Sequence, residues 1–113
     1  RVVSNRTLVA TGVARREPVG TEGPFLANGE PLFLYVDTAN ATGVDQRLTA
    51  RWRRDDVVLL DTFTVGPVSR FRTWVDRALL LEHIGEWTAQ IVDEDGCLVS
   101  EVVFELAAPD WDQ

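Results

Sequence analysis

The residues in this sequence whose types could do chemistry do not fall at spacings that assemble a reaction. His83 is the sole histidine, flanked by Glu82 and Ile84; as a general base it would need an oriented partner and a nucleophile within hydrogen-bond reach. Ser69 and Ser100 are candidates for that nucleophile, yet neither sits in a G-x-S-x-G elbow. Glu82 and Glu86 could form an acid–base pair, but carboxylates on a loop and a strand edge are ordinarily solvated charges. The run Asp93-Glu94-Asp95-Gly96 resembles half of a calcium loop and lacks its further aspartate and distal glutamate, so a hairpin turn is expected. Cys97 is the only cysteine, which excludes an intrachain disulfide and a thiolate metal cluster from one chain. No catalytic residue, metal ligand or cofactor is therefore assigned, and the chain is read as a non-enzyme.

Recognition chemistry is better represented. In the stretch RFRTWVDR, residues 70–77, period-two alternation puts Phe71, Thr73 and Val75 on one face and Arg72, Trp74 and Asp76 on the other. A tryptophan on the charged face asks for an explanation. If this strand pairs with the one at 32–37, Phe33 and Tyr35 join Arg72, Trp74 and Asp76 in an aromatic and arginine patch. Such a patch suits a protein partner, since Trp and Arg dominate binding hot spots, and it also suits stacking on sugar rings. Two bland alternatives compete: a β-bulge that turns Trp74 into the core, or a cover supplied by the 17–31 loop or by the tail with Trp111. Arg51 and Arg53 read instead as cross-strand partners of Glu86, Thr88 and Gln90.

These residues must be positioned by strands. The 113 residues match one domain, and 45% hydrophobic residues supply a core without metal or disulfide staples. Candidate strands cover 7–14, 32–37, 46–53, 57–65, 71–80, 86–92 and 98–106, with a brief helical turn within 79–87. The 17–31 segment carries three prolines and three glycines and reads as a long loop, and the tail from about residue 107 reads as loose. About seven short alternating strands favour an all-β, immunoglobulin-like antiparallel sandwich, with a small closed barrel as the alternative. Trp52 and Trp87 face its interior.

A net charge of -7 argues against nucleic acid, which is held by clustered positive charge. All eleven basic residues are arginine, a bias that a GC-rich gene would also give. No apolar run of membrane-spanning length or secretion signal is present, and the chain has no methionine even at position 1, so a processed protein or a domain cut from a longer one is expected, with any membrane anchor of the parent outside this chain. Two N-x-T triplets, at Asn5 and Asn40, are unremarkable by chance.

The series Ala50-Arg51-Trp52, Arg72-Thr73-Trp74, Gly85-Glu86-Trp87, Val92 to Gly96 and the closing Phe104-Glu105-Leu106 resembles an uncharacterised bacterial domain family, a domain of unknown function. The resemblance covers roughly residues 8–106. It implies a noncatalytic protein-interaction or structural module of a larger envelope or surface protein, with a carbohydrate-binding module as the alternative. Ala50 stands where the family pattern has His and Val75 where it has Ser, so any chemistry those two carry in relatives is absent here. Ala89 and Leu106 replace valines and keep the apolar character.

Overall fold

The computed structural model describes residues 2–109. Ten strands follow one another: β1 Val2–Ala10, β2 Gly12–Ala14, β3 Glu17–Val19, β4 Phe25–Leu26, β5 Pro31–Asn40, β6 Gln46–Arg54, β7 Val57–Val65, β8 Phe71–Ala78, β9 Gly85–Val92 and β10 Leu98–Ala107. A 3-10 turn, Leu81–His83, precedes β9 where the brief helical turn is expected. The strands form a three-stranded sheet ordered β1-β5-β8 and a five-stranded sheet ordered β4-β10-β9-β6-β7, while β2 and β3 make a separate two-stranded ribbon. Two distinct sheets facing each other make a sandwich and exclude the closed barrel. All pairings are antiparallel except β4 with β10.

The seven long strands match the alternating segments of the sequence. The three extra ones are β2, β3 and β4, of two or three residues each, too short to show a period. Two of them lie in the segment expected to be a loop. The expected first strand is cut at Thr11, whose N–H is taken by the carbonyls of Val19 and Gly20 at 3.1 and 3.0 Å, so that β2 leaves the sheet and folds back with β3. The start of β1 lies five residues before the expected one because a register shift at Ser4/Arg6 leaves Asn5 unpaired and breaks the alternation there. A second shift, at Leu98/Ser100, turns Leu98 out to 49% exposure and packs Val99 on the core, the reverse of what unbroken alternation with Phe104 and Leu106 would give. At the other end, β10 continues through Ala107, whose carbonyl accepts the Ala27 N–H at 2.9 Å. Ala108 and Pro109 follow without regular structure, and the rest of the expected loose tail, residues 110–113 with Trp111, lies outside the described residues.

The core is built from alternate residues of the two inner faces. Leu32, Leu34 and Val36 of β5 meet Leu48, Ala50 and Trp52 of β6 and Trp87, Ala89 and Ile91 of β9. Trp52 and Trp87 are fully buried as expected, and Phe104 sits edge-on to both Trp52 and Phe25. Polar links close both open sides of the sandwich. On one side the Thr7 hydroxyl donates to Ser100 Oγ at 2.8 Å and shares a 2.6 Å contact with Ser4. On the other side Arg77 of β8 reaches Asp61 of β7 with Nε and Nη2 at 3.1 and 2.9 Å, and the buried Trp52 indole donates to the same carboxylate at 3.0 Å. Asn40, buried at the end of β5, grips the following turn through Val44 and Thr42, so its amide is committed internally.

Candidate functional site

The outer face of the three-stranded sheet gathers all five residues singled out from the sequence. Strand β5 lies between β1 and β8, and its register lines up Leu8, Tyr35 and Trp74 in one row, Ala10, Phe33 and Asp76 in the next, and Arg6, Asp37 and Arg72 in the one before. No bulge interrupts β8, so the alternation holds and Trp74 faces outward at 37% exposure. Its four neighbours in this set are not equally available. Tyr35 is 1% exposed, Phe33 and Arg72 are half-buried, and Asp76 is exposed.

Tyr35 serves as the base on which Trp74 rests. The two rings are parallel within 7°, with centroids 6.4 Å apart. The phenol hydroxyl donates to the backbone carbonyl of Arg16 at 2.6 Å. Burial first, and then the nearby Glu17 carboxylate, push the Tyr35 pKa above its ordinary value of 10.0.

The ribbon of β2 and β3 covers this ring. Ala14 pairs with Glu17, and the two residues between them, Arg15 and Arg16, have φ of +54° and +64°. This left-handed two-residue turn usually takes Asn-Gly, and each non-glycine residue there carries a cost of about 1 kcal/mol or more. Glu17 ties the ribbon down: its carboxylate accepts from Arg72 Nη1 at 2.8 Å and lies 3.7 Å from Arg6 Nη1. The Arg6 guanidinium also stands 6.0 Å from the Tyr35 ring centroid.

Asp37 sits between Arg6 and Arg72 in the register and is 7% exposed. Its Oδ2 accepts from Arg70 Nε at 3.1 Å, while its Oδ1 is buried and has no hydrogen-bond partner among the described residues. Asp37 was within reach of sequence reasoning, because it continues the 33, 35, 37 alternation. Arg6 and Glu17 were not, since their placement depends on the unpaired Asn5 and on the ribbon folding back.

Elsewhere the cross-strand expectation for the five-stranded sheet is met for Gln90 and Thr88, whereas Glu86 lies in register with Glu105 of β10 and has no partner in β6. Arg51 pairs with Gln90 and Arg53 with Thr88 in register. Arg51 Nη2 donates to Gln90 Oε1 at 2.8 Å, and Gln90 Nε2 passes the chain on to Glu101 at 2.7 Å. His83 is half-buried and structural: its Nδ1 accepts the Leu80 N–H at 3.0 Å, its ring stands edge-on to Trp87, and its carbonyl takes the Trp87 indole N–H at 2.6 Å. The 93–96 turn is a hairpin in which Asp93 Oδ1 accepts the N–H groups of Asp95 and Cys97 at 2.9 Å each, an Asx turn.

Comparison with known proteins agrees with the architecture. No curated protein matches the chain. Among solved structures, the Pseudomonas fluorescens alkylpurine DNA glycosylase AlkC bound to DNA containing an abasic site analog is similar with a TM-score of 0.59 and 15% sequence identity. The match covers 95% of this chain and 30% of that one, and at this identity it shows likeness of fold alone. The sequence pattern of the family described as "Protein of unknown function (DUF2914)" matches residues 45–106, from the turn before β6 to the end of the core part of β10. The matched span includes Arg72, Trp74 and Asp76 and leaves Glu17 and Tyr35 outside. It takes in more than half of the chain, and the chain therefore belongs to the DUF2914 family.

Proposed function

We propose that this domain is a noncatalytic interaction module of a larger bacterial envelope or surface protein, and that it binds a protein partner through the outer face of its three-stranded sheet. One observation carries the reading: Trp74 is exposed yet held parallel on a buried, hydrogen-bonded tyrosine. A tryptophan fixed in this way loses little conformational freedom on binding, which is the property of a hot-spot residue. Arg72 and Asp76 beside it on β8 supply a polar rim. The place in an envelope or surface protein rests on the resemblance of the motifs around Trp52, Trp74 and Trp87 to bacterial relatives.

A carbohydrate is the second reading, favoured by an outward-facing and partly exposed Trp74 ring. DNA is named for the structurally similar glycosylase, but the net charge of -7 weighs against a phosphate backbone here. Catalysis is not part of the proposal, since the one histidine is committed to Leu80 and Trp87.

The test compares the wild-type domain with Trp74→Ala, both immobilised and exposed to an envelope fraction and to a panel of polysaccharides. Proteins retained by the wild type and lost by the variant support the proposal. Identical retention sinks it, and a tryptophan fluorescence shift with a polysaccharide alone moves the assignment to the glycan.

A further inference from the structure

The element covering the Trp74 face is itself informative about what the face binds. Arg6 and Arg72, on the two outer strands of the sheet, converge on one carboxylate, that of Glu17, and Tyr35 donates to the carbonyl of the preceding residue, Arg16. The face thus already holds a peptide carbonyl and the acidic side chain that follows it. The fastening is light. The ribbon has only three residue pairs, and its turn forces two arginines into the left-handed region. The ion pairs are half-exposed, with Glu17 at 51% and Arg6 at 48%, a setting in which each contributes little. Between the two arginines lies the unpartnered, buried Oδ1 of Asp37, an acceptor available to either guanidinium once Glu17 lets go.

Charge points the same way. In a chain of net charge -7, five of the eleven arginines, Arg6, Arg15, Arg16, Arg70 and Arg72, surround this one face against three carboxylates, Glu17, Asp37 and Asp76, so the face keeps a positive excess that grows when Glu17 leaves. A local positive surface on an acidic protein draws an acidic partner and repels basic ones.

We propose that the β2–β3 ribbon is a displaceable cover, and that Glu17 occupies the position taken by a glutamate or aspartate of an acidic segment of the partner polypeptide. This rests on the reading of the Trp74 face as the contact surface and goes further in naming the chemistry of the occupant. Displacement exchanges one carboxylate for another in the Arg6–Arg72 clamp and uncovers Tyr35, extending the aromatic surface beside Trp74.

The experiment titrates a short glutamate-rich peptide, its glutamine counterpart and polygalacturonate against the full chain, followed by tryptophan fluorescence, with amide exchange over residues 12–19 as a second readout. Glu17→Gln is expected to tighten the glutamate peptide by about threefold to tenfold, the worth of exposed ion pairs, and to speed exchange in the ribbon. Glu86→Gln, on the other sheet, makes the same change in net charge and is expected to leave affinity unchanged; an equal gain there reduces the effect to long-range charge and overturns the proposal. Arg72→Gln should weaken the glutamate peptide by about threefold to tenfold and leave the glutamine peptide unchanged, with circular dichroism verifying the fold. If Trp74→Ala abolishes binding while Glu17→Gln changes nothing, the face binds but the ribbon is not its cover, and the proposal falls alone. If Arg72→Gln matters and Trp74→Ala does not, the contact-surface reading falls with it. Binding of polygalacturonate but not of the peptide overturns the polypeptide assignment, as does binding of neither.

Discussion

Trp74 and Tyr35 face each other across β8 and β5 as a parallel pair, one ring open to solvent and the other shut away beneath the ribbon. The stability of the pair should be correspondingly uneven. Removing a fully buried tryptophan such as Trp87 should cost about 3 to 5 kcal/mol. Trp74→Ala removes a stacked but 37% exposed ring and should cost about 1 to 2 kcal/mol, the stacking plus partial burial. Urea unfolding of both variants checks this, and equal losses would mean that Trp74 is a core residue.

Tyr35 is the only tyrosine, so its ionisation can be followed directly by absorbance. Its pKa is raised by burial and by Glu17, meaning that the folded state favours the neutral phenol. The sign follows: the stability Tyr35 contributes is fully present below pH 10.0, the ordinary value, and is lost as pH rises through the higher folded value. Wild type should therefore lose stability more steeply above pH 10.0 than Tyr35→Phe. Glu17→Gln should bring the absorbance titration back toward the ordinary value; an unmoved titration would show that the ribbon does not control this site.

Asp61 and Arg77 join the two sheets at the β7–β8 side, and Asp61 alone also satisfies the buried Trp52 indole. Asp61→Ala leaves that N–H without a partner and should cost about 1 to 3 kcal/mol. Arg77→Ala leaves the indole bond intact; its ion pair is partly exposed, at 29% and 26%, and should be worth about 1 kcal/mol or less. Thermal unfolding of the two single variants and the double variant measures the difference; a larger loss for Arg77→Ala would reverse the assignment.

Alternation carried most of the architecture, because long strands with one buried face write a period of two into the sequence. That is why Phe33, Tyr35, Arg72, Trp74 and Asp76 could be placed on one face before the fold was known. What escaped depends on single-residue events that leave no period. The unpaired Asn5 puts Arg6 beside Asp37, the break at Thr11 lifts the ribbon over Tyr35, and the shift at Leu98 exchanges Leu98 with Val99. Asp61 and Arg77 did leave a signal: each is the one charge on its inward face, Val57-Leu59-Asp61-Phe63-Val65 and Phe71-Thr73-Val75-Arg77. Opposite charges on two faces that must pack together are best placed against each other.

Gly85 opens β9 with φ of +139°, a conformation that side chains rarely adopt, and a Cβ there would stand 3.0 Å from Arg54 Cδ. Arg54 is fixed for a reason: its guanidinium lies 6.0 Å from the Trp87 ring centroid and donates to the Glu82 carbonyl at 3.3 Å. Gly85→Ala therefore meets two costs, backbone strain of about 1 to 3 kcal/mol and the displacement of Arg54 from Trp87. Repeating the substitution in an Arg54→Ala background removes the second cost and keeps the first. The double-mutant cycle by urea unfolding should show the Gly85→Ala loss reduced but still present; a loss of the same size in both backgrounds would assign the glycine to its φ alone.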